Sequence, residues 1–321
     1  MLDEYDVIRL ITSRFGKLPK GYTPIGDDVA LIPQGRKEQE VVLKADMLVA
    51  KTDVPKRMTW RQASRKAVAM CVSDFGAKGA RPDSFMVSLG LPRGTEEAKV
   101  VQLATGFLDA SREWDVKLVG GDTGEADDLV ISCMMVGFAK SIVTRGGARP
   151  GQLIVTSGPF GQTAAGLKIM TDGATADASF RKTAVSSVCT PTPPLEVGVA
   201  VSKHLSSSID SSDGLAISLH TIAEMSGVGM RLGDELPFVK GLERFASQNS
   251  YSSEELALYG GEEYQLVGTI DRRRLKEAQA EAKSAGGELR VIGETNGGKG
   301  VLFADGRAVR RDGWVHFKNE P

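Results

Sequence analysis

Three cysteines, Cys71, Cys133 and Cys189, are all that the 321 residues contain, and no two form a CxxC pair. Histidine is equally scarce, with three residues and none at a metal-ligand spacing. Structural zinc, thioredoxin-like redox chemistry and a disulfide scaffold are therefore not expected. Neither charge sign dominates, since 40 Lys+Arg stand against 41 Asp+Glu for a formal net charge of -1. That balance argues against a broad basic face for nucleic acid or an anionic membrane. No apolar run nears the roughly 20 residues of a membrane helix, and the opening MLDEYDVIRL lacks a signal peptide's basic-then-apolar layout. GxxxxGK[ST], GxGxxG and the HRD/DFG set are missing as well. The expectation is a soluble, cytoplasmic, globular protein with no nucleic-acid or membrane partner.

What the chain does have is length for about two domains, at roughly 150 residues each. Apolar spacing predicts a helix over Asp3 to Phe15. A strand over Glu40 to Lys44 delivers Asp46 at its end, and a helix from Thr59 to about Val72 leaves Asp74 at or just past its end. Ser84 to Leu91 reads as a strand, followed by a helix ending near Trp114. The strand Val116 to Val119 then runs into Gly120-Gly121-Asp122, and Leu129 to Ala139 is a further strand. Gly146-Gly147-Ala148-Arg149-Pro150-Gly151 is the best boundary, which gives domains 1–148 and 149–321. Beyond it come a strand over Gln152 to Thr156, a helix over Thr163 to Met170, a strand ending at Ile209 and a helix over Leu215 to Met225. Two mixed α/β (α+β) domains fit this order.

Carboxylates recur beside glycine at the expected element ends: Gly26-Asp27-Asp28, Asp46, Asp74, Gly120-Gly121-Asp122, Asp210-Ser211-Ser212-Asp213-Gly214 and Gly260-Gly261-Glu262-Glu263. Singly, each also reads as a turn or a cap, and Asp213 as the N-cap of a helix. As a set, acids at several strand ends can converge on one crevice at the edge of an α/β sheet. Convergence would require cations, and oxygen donors without Cys or His favour Mg²⁺. Mg²⁺ shared between carboxylates and phosphates points to phosphoryl chemistry on a nucleotide. Gly158-Pro159-Phe160-Gly161-Gln162-Thr163 before a helix could hold an anion, or be a plain strand-to-helix turn. Arg145 could neutralise a phosphate or be a solvated surface group.

Read together and in order, these segments resemble the thiamine-monophosphate kinase family, of the superfamily with aminoimidazole ribonucleotide synthetase and selenophosphate synthetase. Lys44-Ala45-Asp46-Met47-Leu48-Val49, the run from Val72 through Ser73-Asp74 to Arg81-Pro82, Gly260-Gly261-Glu262-Glu263-Tyr264 and Gly313-Trp314-Val315-His316-Phe317 extend the likeness over most of the chain. The resemblance implies Mg²⁺-dependent transfer of the ATP γ-phosphoryl group to thiamine monophosphate. It also implies a two-domain aminoimidazole ribonucleotide synthetase-like fold whose N-terminal sheet pairs in a homodimer, with ATP and several Mg²⁺ in the cleft between domains. Asp27, Asp46, Asp74, Asp122, Asp210 and Asp213 match the metal-binding aspartates, and all but Asp213 are taken as catalytic. Gly121, Asp122, Arg145 and Ser212 match ATP contacts, while Glu262 and Trp314 match the thiamine end. Asp28 is given a structural role. A phosphate monoester oxygen with second pKa near 6 is a ready nucleophile at neutral pH, so no strong base is needed.

The chain departs from the family pattern in places. Lys44-Ala45 stands where bacterial members carry two hydroxyl residues, so a side-chain metal ligand is lost. Asp53 falls at the place of a substrate-contacting histidine, within Lys51-Thr52-Asp53-Val54-Pro55, as in the archaeal branch. Glu263 and Gln265 replace the more usual Asp and Glu. An aminoimidazole ribonucleotide synthetase-like ligase and a non-catalytic nucleotide-binding module are the competing readings. The six retained aspartates oppose the second, because clustered charge is costly in a scaffold.

Overall fold

The computed structural model of the chain describes residues 6, 8, 9, 13, 20–23, 26–33 and 39–317, and divides its strands between two sheets. The first contains β1 (Ala30–Ile32), β2 (Glu40–Val49), β3 (Arg81–Leu91), β4 (Lys117–Glu125) and β5 (Val130–Ala139), in the order β1-β2-β5-β3-β4. Between β2 and β3 come the single turn α1 (Ala50–Asp53) and the long helix α2 (Trp60–Lys78). Helix α3 (Glu97–Trp114) carries the chain from β3 to β4, the parallel pair of this sheet. A parallel pair needs such a crossover because a tight turn can join antiparallel neighbours only.

The second sheet contains β6 (Leu153–Thr156), β7 (Leu205–Asp210), β8 (Gly229–Leu232), β9 (Leu266–Ile270), β10 (Arg290–Asn296) and β11 (Val301–Leu302). Its order is β11-β8-β10-β6-β9-β7. Helices α4 (Gln162–Thr171), α5 (Ala178–Cys189), α6 (Leu195–Val201), α7 (Leu215–Ser226), α8 (Leu242–Gln248), α9 (Ser253–Tyr259) and α10 (Leu275–Ser284) surround it. Strand β6 is buried on both faces: Ile154 joins the core under α4 and α7, while Leu153 and Val155 pack with α6 and α10. Helix-covered faces on both sides make continuous apolar runs of such strands.

Helix α2 is the beam of the molecule. Thr59 opens it with a capping box to Gln62, and Gly79 closes it at φ 70°. The amides of Gly79 and Ala80 then satisfy the carbonyls of Gly76 and Phe75. Almost every residue from Ala63 to Lys78 is buried, because α3, the first sheet and α6 enclose it. Small residues make this possible: a Cβ on Gly198 would lie 2.1 Å from the Gly76 carbonyl oxygen, where α6 crosses α2. The first core also takes in Val188, Cys189 and Leu195 from beyond residue 150, so the two halves interlock.

Several expected boundaries move. The helix starting at Thr59 does not stop near Val72, and Asp74 lies within α2. Burial on all sides removes the apolar period, so Ser73, Asp74 and Lys78 read in sequence as an exit from the helix. Asp46 is likewise in the middle of β2, not at its end. The inward positions of β2 alternate Val42, Lys44, Asp46 and Leu48, and the two charges mask the strand pattern. Gly120-Gly121-Asp122 lies inside β4, a wholly exposed edge strand with no apolar alternation to mark it. Asp213 does not cap α7; Gly214 does, at φ 116°, without a side-chain hydrogen bond. Of the expected first helix, Asp6, Ile8 and Arg9 are helical, Ser13 is in a turn, and the remainder lies outside the described residues, as do Lys318–Pro321. All three cysteines are free and buried. Among the described residues, no helix is long and apolar enough to cross a membrane.

Candidate active site

The inward face of β2, the last turns of α2, the end of β7 and the Gly26-Asp27-Asp28 loop meet in one buried place. Asp28, Asp74 and Asp210 each bring a carboxylate oxygen there, all within 4.8 Å of one another. Asp28, given a structural role from sequence, thus sits among the clustered acids. Ser73 donates to Asp210 Oδ2 at 2.7 Å. Burial, with the Asp28 charge beside it, lifts Asp210 to about 6. Burial pushes Asp74 well above the carboxylate range too, with Lys44 opposing and Asp210 and Asp46 reinforcing. For Asp28 burial acts in the same sense, but Lys78 and Arg145 outweigh it and hold the group below its ordinary value.

Lysines whose pairing sequence reasoning did not foresee compensate these acids. Lys78, fully buried, places Nζ 2.9 Å from Asp27 Oδ1 and 2.5 Å from Asp28 Oδ2, and donates to the Ser208 carbonyl. Lys44 reaches Asp74 Oδ2 at 2.9 Å and Asp46 Oδ1 at 3.3 Å. Arg145 is tied down by the loop: Nε donates to Asp28 Oδ1 at 2.7 Å, Nη1 to the Gly26 carbonyl at 2.8 Å, and its amide to Asp27 Oδ2 at 3.0 Å. A lysine inside a run as rich in alanine as α2 was the available signal for Lys66 and Lys78.

Asp122 does not join this group. Pairing sets Asp46 beside Cys133 and Val87, on the inward face. Asp122 pairs with Ser88, and Ser88 with Ser132, which is the row of the exposed Met47. Asp122 therefore stands on the outer face, three strands and roughly 14 Å across the sheet. Gly121 packs against β3 so closely that a Cβ would lie 2.1 Å from the Val87 carbonyl oxygen. Ser212 gives its hydroxyl to Asp213 Oδ1 at 3.2 Å, and its carbonyl accepts the Glu262 amide at 2.6 Å.

The other expected end of the site lies eight residues back along α2, about 12 Å at 1.5 Å per residue. Lys66, with no exposed surface, donates to the Asp53 carbonyl at 2.9 Å and pairs with Glu262 Oε1 at 2.5 Å. One ammonium so joins two residues expected at the substrate. Asp53 Oδ2 accepts the Val49 amide at 2.7 Å, which fixes the α1 turn. Glu262 (φ 63°) and Tyr264 (φ 52°) both adopt the left-handed backbone region, uncommon for residues with a Cβ and found where surrounding structure enforces it. The Trp314 amide donates to the Asp213 carbonyl at 3.0 Å, and its half-exposed ring lines a cavity of about 980 Å³. Lys51, Lys56, Lys168, Tyr259 and Gly261 share that wall.

The helix N-terminus after Gly158 holds no open anion site. Glu263 fills it, with Oε1 accepting from the amides of Gly161 at 2.8 Å and Thr163 at 2.9 Å. Burial raises this carboxyl to about 7 against those amides, which favour the charged form. Gln265 accepts the Ser157 hydroxyl at 2.8 Å. The two departures Glu263 and Gln265 thus brace the loop before α4.

Comparison with known proteins agrees with this geometry. The family described as AIR synthase related protein, N-terminal domain, matches residues 26–139. A thiamine-monophosphate kinase of Nitrosopumilus maritimus is 34% identical over 320 residues, 99% of each chain. That of Pyrococcus abyssi is also 34% identical, over 91% of this chain and 90% of its own. A solved structure described as AaThiL complexed with AMPPCP and TMP superposes with a TM-score of 0.88 at 28% identity, covering 98% of this chain and 97% of that one. HypE in a HypE-HypF complex, 21% identical with a TM-score of 0.75 over 95% of this chain and 99% of its own, shares the fold. With a third of its residues held in common along its full length, the chain belongs to the thiamine-monophosphate kinase family.

Proposed function

We propose that this chain transfers the γ-phosphoryl group of ATP in line to thiamine monophosphate, giving thiamine diphosphate and ADP. Relatives at 34% identity along the whole chain carry that activity in their names, and a structural neighbour is described with AMPPCP and TMP bound. The observation that carries the reading is the single helix α2. Its C-terminal turns hold Asp74 in the acid cluster, and Lys66 on the same helix fixes Glu262 beside the Trp314 cavity. A phosphate at one end and a cationic ring at the other would span that separation. The Glu262 carboxylate and the Trp314 face suit a thiazolium.

The buried donor set of Asp28, Asp74 and Asp210, oxygen only, fits Mg²⁺, and Asp27 and Asp46 adjoin it through Lys78 and Lys44. When bound, Mg²⁺ supplies neutralisation of phosphate charge in a loose transition state. The protein's own part is placement. Arg145 and Ser212 stand beside the acids for phosphate oxygens, and the substrate phosphate, largely ionised at neutral pH, attacks without a base.

A homodimer completes the reading. The outer face of the first sheet exposes Met47, Met86, Met134 and Phe138, the face that also bears Asp122. A second copy laid on it would bury that apolar surface and bring Gly121 and Asp122 to an interface. Domains 1–148 and 149–321 follow the gap between β5 and β6, and a cytoplasmic location follows the free cysteines.

Mass-spectrometric analysis after incubation with ATP, Mg²⁺ and thiamine monophosphate tests the activity. Thiamine diphosphate and ADP should appear together, and only with Mg²⁺. Bound but unchanged ATP would overturn the kinase reading and favour a nucleotide-binding module; turnover with formylglycinamidine ribonucleotide instead would favour the ligase.

A further inference from the structure

Lys44 and Asp46 lie two residues apart on β2, so both side chains point to the same inward face. There Lys44 Nζ sits between two carboxylates from different elements, 2.9 Å from Asp74 of α2 and 3.3 Å from Asp46 of β2. Lys78 Nζ holds the corresponding place between Asp27 and Asp28, and Arg145 takes the other oxygen of Asp28. Five carboxylates, those of Asp27, Asp28, Asp46, Asp74 and Asp210, therefore face three fixed cations.

We propose that Lys44 is a built-in cation: its ammonium occupies the position between Asp46 and Asp74 where a second divalent ion would otherwise sit. In the absence of nucleotide the protein then takes one ion, at Asp28, Asp74 and Asp210, whose oxygens lie within 4.8 Å of each other. An ammonium donates hydrogen bonds where a metal accepts lone pairs, so the two cannot share the Asp46–Asp74 gap. Like charges at such spacing, shielded from water, also repel strongly. Among the described residues, Asp46 and Asp74 are the two carboxylates in ion-pair reach of Lys44. The metal site belongs to the proposed kinase reading; the role of Lys44 within it is the new element.

The test counts Mn²⁺ ions bound to the full chain without nucleotide, by electron paramagnetic resonance of the free ion. The wild-type protein should bind one Mn²⁺ per chain at high affinity. Lys44→Thr removes the ammonium and supplies a hydroxyl donor, and should bind two; Lys44→Arg should keep one. A wild-type count of none, or of two or more, overturns the proposal, as does a folded Lys44→Thr variant that still binds one. Should Lys44→Thr fail to fold, Lys44→Met removes the charge without adding a donor. It should tighten the single Mn²⁺ site by about tenfold or more, and an unchanged Kd overturns the proposal. Melting gives a second readout: Lys44→Thr should lose thermal stability without metal and regain it with Mn²⁺ more than wild type does. None of these measurements uses ATP or thiamine monophosphate, so their failure is separable from failure of the kinase assay.

Discussion

At the scale of single residues, the site is a set of charges whose partners decide their state. Glu263 shows how a residue can fit a motif and yet serve the scaffold. Its carboxylate occupies the N-terminus of α4 through the Gly161 and Thr163 amides, and burial still raises it to about 7. The folded protein thus holds a proton there, between about pH 4.5 and 7, that the unfolded chain has released. Glu263 therefore contributes most to stability on the acid side, and that contribution is lost as pH rises through about 7. Asp210, at about 6, acts in the same direction. In Glu263→Gln the amide oxygen still accepts both N–H groups and cannot titrate. Urea unfolding between pH 5 and 8 should then show a decline with pH shallower by up to about 1.4 kcal/mol per pH unit. Equal slopes for variant and wild type would contradict the assignment. At this scale the sequence offered a set of candidate acids and was silent about the lysines that face them. Lys66 and Lys78 are distant in sequence from Glu262 and Asp27, and only folding makes them neighbours.

At the scale of elements, α2 works because its neighbours come close. Gly106 of α3 faces the first turns of α2, where a Cβ would lie 2.0 Å from both the Arg61 carbonyl oxygen and Ser64 Oγ. Backbone cannot rotate away, so Gly106→Ala should cost about 1–3 kcal/mol through overpacking. Gly297→Ala, where a Cβ meets nothing within 4 Å, is the matched control and should change stability little. Thermal melts of the two compare them directly; equal midpoints would mean that α3 shifts freely. Amphipathic and fully apolar elements were legible from sequence, α3 and β5 among them, because their faces differ or their runs are continuous. Elements with buried charge or no buried face were not. β2 hid Asp46 in its interior behind a Lys–Asp pair, β4 at the sheet edge showed no alternation, and α2 continued past the polar residues Ser73 and Asp74.

At the scale of the whole molecule, the outer face of the first sheet exposes a group of large apolar side chains. Met47 is 60% exposed there, Met86 and Met134 pair in the next row, and Phe138 lies further along the same face. Light scattering should give twice the 34.2 kDa of one chain. Met134→Glu, which plants a charge in the centre of that face, should yield the single-chain mass with an unchanged circular dichroism spectrum. A wild-type monomer at micromolar concentration, or a dimeric Met134→Glu, would remove the dimer from the proposed function. The sequence by itself determined the class of fold, the order of most elements between Glu40 and Met225 and an ordered set of acids, because periodicity and short motifs are local properties of a chain. It also carried the family, since those motifs recur in one order over most of the length. Only the tertiary structure decided which acids meet. Asp28 joins Asp74 and Asp210, Asp122 faces away, and lysines from β2 and α2 stand among the carboxylates. Strand register sets the face on which a side chain emerges, and helix packing sets which distant charges share a dry interior; neither is written in any single segment.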